Sequence, residues 1–431
     1  MRDKKQDRSH PIRTKILLLW CGGLIVSACL YPGSAAADVR AGVARETFTL
    51  PQRVPLAGYG RRGGKPSRGV HDPVGVRALV LQDDHATAAL VSCDLLIVDE
   101  QLFDAVHRRL IESGFPRDLV LILAGTHTHS GPGAYGRRFV EKISMGHFNP
   151  QVFEALVAAI TQAVRRARDN VAPTRIAYGV AQTEGLVVNR MDPHGPTDPE
   201  VIVSGFYRER VETPFAVIVN FAAHPTTLGA WNRELSADYP GVVMRELERR
   251  VPGAVCLFVA GSVGDQAPVK SGSGFEAPEH LGTQLAQQAV IALERARPEP
   301  GETLHALQER MALPPAELRL GRLTLPRWMG ARLVDDDATL SVVVAGRTAF
   351  IGVPCDLSAA LGAALKGAAR ARDLEPVIVG FASDYIGYCV PAALYEAHKY
   401  ESSMAFNGPK TGELIVEHLT HMLEQITTGG R

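Results

Sequence analysis

The chain has 431 residues, 46% of them hydrophobic and 21% charged, the balance of a globular protein with enough material for one large core or two modest ones. Its 46 basic and 46 acidic side chains cancel, and no basic block follows the N-terminus, which argues against nucleic acid as a partner. The six cysteines show no Cys-x-x-Cys spacing, so no thiolate metal site is expected and no disulfide is demanded, although export would permit one.

Residues 1–37 read as an export signal. Arg2, Lys4, Lys5, Arg8, Arg13 and Lys15 precede an apolar stretch from Ile16 to about Leu30, and Ser34-Ala35-Ala36-Ala37 supplies an Ala-x-Ala-like cleavage site. The apolar stretch is too short and too interrupted for a membrane-spanning helix. Val26-Ser27-Ala28-Cys29 also matches a bacterial lipobox, the alternative in which the signal ends before Cys29 and that cysteine carries a lipid. The expected location is periplasmic or secreted in either case. Residues 38–431 then carry 40 basic and 44 acidic side chains and are expected to form a single domain.

Along that domain, Asp99 caps a helix with Leu102, Phe103, Val106, Leu110 and Ile111 at helical spacing, closed by Gly114 and Pro116. Leu119 to Ala124 is an unbroken apolar run, the mark of a buried strand. It empties into Gly125-Thr126-His127-Thr128-His129-Ser130-Gly131-Pro132-Gly133. Alternate side chains of an extended segment share a face, so His127 and His129 can reach one site. Asn149 caps a second helix, with Pro150 in its first turn and Val152, Phe153, Leu156, Val157, Ile160 and Val164 on one face. After a Pro/Gly-rich loop from Arg190 to Val201, a second apolar run, Phe215 to Ala223, ends at His224-Pro225.

Three more runs end in polar clusters. Ala254 to Ala260 leads into Gly261-Ser262-Val263-Gly264-Asp265, Thr348 to Val353 into Pro354-Cys355-Asp356, and Val377 to Ala382 into Ser383-Asp384-Tyr385-Ile386-Gly387-Tyr388. Helices are expected near 240–250, 278–296, 357–372 and 411–427, and 302–345 reads as an antiparallel excursion from the main sheet. The fold class is α/β: a mixed β-sheet core with flanking helices and the active site at strand ends. Five strands emptying into His, Asp or Tyr predict one site on one sheet edge, and the imidazoles point to a metal-assisted hydrolase. A serine hydrolase fits less well, because Ala260-Gly261-Ser262-Val263-Gly264 lacks the first glycine of the nucleophile elbow. Trp231 and Trp328-Met329 are candidate apolar contacts for an acyl chain or a membrane surface, although core packing is the commoner use of such residues. No protein partner is inferable.

The chain resembles the neutral/alkaline non-lysosomal ceramidases. The resemblance is carried by Gly58-Tyr59, Gly69-Val70-His71-Asp72, the His127–His129 segment, Asn220-Phe221-Ala222-Ala223-His224-Pro225, Gly264-Asp265-x-x-Pro268, Ser383–Tyr388 and Tyr400-Glu401, in that order. It spans roughly residues 41–427. It implies a zinc-dependent amidohydrolase that cleaves the N-acyl bond of ceramide or a related lipid through a zinc-bound hydroxide. The implied zinc ligands are His127, His224, Asp356 and Tyr388, an N/O set suited to Zn²⁺ with a water position left open. His129 is the implied general base or proton donor to the leaving amine. Tyr400 and Arg190 are implied hydrogen-bond donors to the oxyanion, and Asp265 an orienting partner of a ligand histidine.

Three departures stand out. Ala267 occupies the place of a family serine, so the hydroxide is expected to attack directly. Asp356 falls on a family glutamate, within Pro354-Cys355-Asp356 where the family has Pro-Gly-Glu. No immunoglobulin-like domain is expected after the last helix. These keep open a hydrolase of a different, non-ceramide amide or ester, or a non-catalytic metal- or lipid-binding relative.

Overall fold

A computed structural model describes residues 39–429 apart from 302, 321–322, 325–329, 331–332 and 398. The export signal with Cys29, and the pair Trp328-Met329, lie outside the described residues. The apolar runs become strands. β1 (Arg40–Thr47), β2 (Gly75–Gln82), β3 (Thr87–Cys93), β4 (Val120–Gly125), β5 (Ala172–Gln182), β6 (Glu200–Arg208), β7 (Ala216–Phe221) and β8 (Val255–Ala260) form the first sheet. Its order is β8-β7-β6-β5-β1-β2-β3-β4, with Glu299–Pro300 as a ninth short strand on β5. The ladders β7–β8 and β3–β4 are parallel.

A second sheet follows, built from β9 (Leu304–Ala312), β10 (Asp337–Ala345) and β11 (Thr348–Val353). β12 (Asp356–Leu357) lies off it, β13 (Glu375–Gly380) completes it, and β14 (Tyr388–Cys389) pairs with β12. The order is β9-β10-β11-β13, antiparallel except for β11–β13. The segment read as an antiparallel excursion therefore supplies the outer half of this sheet.

Four layers result. Helices α1 (Glu100–Glu112), α2 (Pro150–Asp169), α3 (Asp238–Arg250) and α4 (Glu276–Arg295) cover one face of the first sheet, burying Leu102, Val106, Leu156, Ile160 and Leu285. The other face meets the second sheet through Leu79, Ile122, Phe206, Leu257, Val343, Phe350 and Val379. α5 (Ala359–Arg370) and α6 (Thr411–Gly429) close the far side with Leu361, Leu365, Ile415 and Leu419. Strand alternation makes this possible: along β10, Val343 faces the first sheet while Val342 and Val344 face the helices. The caps fall where the sequence puts them, Asp99 accepting from Leu102 N–H at 2.7 Å and Asn149 from Gln151 N–H at 2.9 Å.

One expectation is corrected. The five strands do not end on one sheet edge: β4, β7 and β8 belong to the first sheet, β11 and β13 to the second. Two backbone contacts bring the ends together. Ser383 N–H donates to Leu123 O at 2.7 Å, and Gly125 N–H to Phe381 O at 3.3 Å. The site therefore lies on the seam between stacked sheets. Among the described residues, no helix is long and apolar enough to cross a membrane.

Candidate metal centre

His127 follows β4 with a left-handed backbone, φ 64°, a conformation that costs a non-glycine residue of order 1 kcal/mol or more. It is held there from across the seam. The Phe381 ring stacks on the imidazole at 3.7 Å between centroids and 3° between planes, and Phe381 is itself left-handed, φ 56°. His224 ends β7, its backbone N–H on Gln266 O at 3.1 Å.

Main-chain carbonyls set both rings: His127 Nδ1 lies 2.7 Å from Leu96 O, and His224 Nδ1 3.1 Å from Val263 O. A carbonyl only accepts, so each Nδ1 carries the proton and each Nε2 presents a bare lone pair. The two Nε2 atoms lie 2.9 Å apart. Asp356 Oδ1 lies 3.6 Å from one and 3.8 Å from the other, fully buried and without a hydrogen-bond partner. Lone pairs and a carboxylate oxygen converging in a buried site repel one another unless a cation or a shared proton stands between them. Ligand atoms around a tetrahedral zinc lie about 3.3 Å apart, given bonds of about 2.0–2.1 Å. The observed distances bracket that spacing, so the donor set fits a small divalent ion.

His129 joins the cluster, its Nε2 at 3.4 Å from His127 Nε2. The ligand atoms of His127, His129 and His224 all lie within 4.8 Å of one another. Burial pushes His127 down to about 3 and holds His129 and His224 well below the usual imidazole range, with the Arg190 charge adding to it in all three. All three imidazoles are neutral at physiological pH. Burial also pushes the Asp356 carboxyl up to about 7, against the Tyr385 hydrogen bond and the Arg190 charge.

The remaining expected site residues are not equally placed. Tyr388 on β14 sits opposite Asp356 in the β12–β14 ladder, its hydroxyl against the carboxyl and accepting from Arg190 Nη2 at 2.9 Å. Arg190 is engaged with protein: Nη2 also donates to Gly264 O at 2.8 Å, and Nε forms an ion pair with Glu401 Oε1 at 2.7 Å. Its contacts hold Tyr388 in place. Tyr400 stands at the rim, 61% exposed, its ring edge-on to Tyr388 at 5.6 Å. Asp265 does not touch a histidine. Its oxygens accept from Asn189 Nδ2 at 3.0 Å, Gln266 Nε2 at 3.0 Å and Ala359 N–H at 2.8 Å, which anchors the start of α5. The orienting role expected of it falls to the Leu96 and Val263 carbonyls.

Tyr385 is a site residue with no role assigned from sequence. Its hydroxyl donates to Asp356 Oδ2 at 2.8 Å, which leaves Oδ1 without a hydrogen bond and turned toward the imidazoles. Tyr385→Phe is therefore expected to weaken zinc binding about 10–100-fold, the usual cost of losing such a support. Chelator competition measures this, and an unchanged affinity would reduce Tyr385 to packing. Gly58 is a second such position. At φ 104° it lies flat on the His129 imidazole, and a Cβ there would come within 2.6 Å of the ring. Gly58→Ala is expected to displace His129 and lower turnover about 10²-fold with bound metal unchanged, read as kcat beside metal stoichiometry.

His127, His129 and Tyr388 line a cleft of about 120 Å³, with His224 and Asp356 behind them. Leu96, Ile97, Ile386, Met404 and Phe406 give it apolar walls, and Arg138, Glu141 and Asp335 give it one polar wall.

The sequence profile described as neutral/alkaline non-lysosomal ceramidase, N-terminal, matches residues 40–284. The neutral ceramidase of Mycobacterium tuberculosis is 28% identical over 245 residues, covering 49% of this chain and 37% of that protein. That of Drosophila melanogaster is 22% identical over an alignment of 526 positions, covering 89% and 74%. The chain thus spans well under two thirds of the mycobacterial relative's length. The crystal structure of neutral ceramidase from Pseudomonas aeruginosa superposes with a TM-score of 0.80 at 20% identity, over 91% of this chain and 75% of that one. The fold is shared.

Proposed function

The chain belongs to the neutral/alkaline non-lysosomal ceramidase family, and from that premise we propose that it is a zinc-dependent amidohydrolase cleaving the N-acyl bond of ceramide or a related N-acyl lipid. One observation carries the reading: two imidazole lone pairs and an unpartnered buried carboxylate oxygen converge just behind the lining of a largely apolar cleft, which His127 itself borders. His127, His224, Asp356 and Tyr388 would hold the ion. Zinc in such a site supplies Lewis acidity, which makes water a nucleophile at neutral pH and polarises an amide carbonyl.

The protein's own groups do the rest. His129 has a buried Nδ1 with no partner and borders the cleft; it takes the proton of the attacking water and passes it to the leaving amine. Tyr400, at the rim beside Tyr388, donates to the oxyanion. Arg190 holds the Tyr388 phenol by hydrogen bond and charge. Ala267 carries no hydroxyl, so no side chain at that position acts as nucleophile. The proposed setting is exported, with the lipid taken from a membrane surface; Trp231, 59% exposed, suits that contact.

A second reading keeps the chemistry and changes the substrate to a smaller, more polar amide or ester. The polar wall of Arg138, Glu141 and Asp335 favours it, since these groups are paired among themselves and a long alkyl chain laid against them would strip them of water without offering a polar contact. Fatty-acid release from labelled ceramides of long and two-carbon acyl chains, with zinc-loaded and chelated protein, separates the two. Zinc-dependent release from the long-chain substrate is the expected result. Release confined to the short acyl group supports the second reading, and no release with stoichiometric zinc bound rules out ceramide.

A further inference from the structure

Cys355 immediately precedes Asp356, and Cys389 immediately follows Tyr388. The strands β12 and β14 run parallel and in register, with Asp356 opposite Tyr388 and Leu357 opposite Cys389. Side chains alternate along a strand, and this ladder divides accordingly. Asp356 and Tyr388 meet on the site side, whereas Cys355, Leu357 and Cys389 lie in the core under α5 and α6. Each cysteine is 1% exposed, both are free thiols in the structure, and Cys389 lies near enough to Cys355 to push that thiol up. The backbone is tied on both sides of them, Asp356 N–H to Gly387 O at 2.9 Å and Ser358 N–H to Cys389 O at 3.0 Å. The other two described cysteines sit apart on strands of the first sheet, Cys93 on β3 and Cys256 on β8.

We propose that Cys355 and Cys389 are joined as a disulfide in the exported protein, a staple on the back of the ladder that holds Asp356 against Tyr388. Two S–H bonds break and one S–S bond forms. The two electrons and two protons pass to a disulfide donor, such as oxidised glutathione or an oxidoreductase disulfide, which leaves as two thiols. Burial of both sulfurs requires the exchange to occur before α5 and α6 close over them, and afterwards shields the bond from reductants. The staple closes the loop that carries α5 and β13, so it constrains the unfolded chain as well as the ladder. An aspartate has one fewer methylene than a glutamate with which to follow a shift of its strand, so the position of this ladder matters more here. The cross-link stands whatever the site binds; only its effect on the ion rests on the proposed ligand set.

The test is peptide mapping of the full-length protein refolded in an oxidised/reduced glutathione buffer, alkylated while denatured and digested without reductant. The expected result is a linked Cys355–Cys389 peptide, with Cys93 and Cys256 recovered alkylated. Recovery of Cys355 and Cys389 as free thiols, or linked elsewhere, would overturn the proposal. The second readout is the rate at which a chromogenic chelator removes zinc. Cys355→Ala and Cys389→Ala are each expected to release it about tenfold faster than the oxidised parent, and equal rates would refute the role of the staple in holding the ligands.

Discussion

Replacing His127 with alanine is expected to lower zinc-dependent amide hydrolysis by at least ~10³-fold and to leave the protein folded. The imidazole is the ligand nearest the geometric centre of the cluster, with His224 Nε2, His129 Nε2 and Asp356 Oδ1 all within 3.6 Å of its Nε2. A metal acting as Lewis acid contributes several kcal/mol to the transition state, and each 1.36 kcal/mol is a tenfold change in rate. The fold tolerates the change because what the ring gives up is limited: one hydrogen bond to Leu96 O and the stack on Phe381. Against that loss, the repulsion between facing lone pairs disappears from the metal-free protein. Metal stoichiometry, circular dichroism and turnover on one preparation check all three parts. Full zinc occupancy with full activity would remove His127 from the ligand set.

Asp356→Asn is expected to act in opposite directions on the two forms of the protein. With zinc, affinity falls on the order of 10²-fold or more, since a buried anionic ligand becomes a neutral amide. Without zinc, stability rises by about 1–3 kcal/mol. The reason is that Oδ1 has no partner in a fully buried position, and an unpaired buried charge is costly. An asparagine keeps an acceptor for the Tyr385 hydroxyl and turns its amide toward the lone pairs of His127 and His224. Thermal unfolding with and without chelator reads both signs on one instrument. A variant less stable than the parent in chelator would mean that Asp356 serves the fold rather than the ion.

Much of this was legible in the sequence. A strand buried on both faces must be apolar along its length, so Leu119–Ala124, Phe215–Ala223 and Val377–Ala382 stand out from their surroundings. Helix starts were legible where a side chain caps them, as at Asp99 and Asn149. Which sheet each strand joins was not, because parallel pairing of β11 with β13 leaves no local trace. The segments proposed to carry the ligands were visible as His, Asp and Tyr beyond strand ends, and the structure brings His127, His129, His224, Asp356 and Tyr388 to one seam. The groups that orient them were hidden for a different reason. Leu96 O and Val263 O are main-chain atoms, which every residue possesses. Tyr385 was hidden among neighbours of the same chemistry. Asp265 and Arg190 were assigned by resemblance, which supplies a position but not a direction; their side chains face Ala359, Asn189, Tyr388 and Glu401.

The seam also has a consequence in time. His127 and His224 precede the second sheet, while Asp356 and Tyr388 lie in the last fifth of the chain. On the proposed ligand set, a chain that has emerged only as far as α4 owns the three neutral imidazoles and no anionic ligand, and it would hold a divalent ion weakly. Tight capture would begin only when β11 and β13 have docked on the first sheet, through contacts of large sequence separation such as Ser383 with Leu123, which must first meet the entropy of closing a long loop. The ion thus marks a finished fold, and once bound it ties the earliest and latest segments together. Unfolding would then wait for the ion to leave, so a bound metal would lengthen the lifetime of the folded protein.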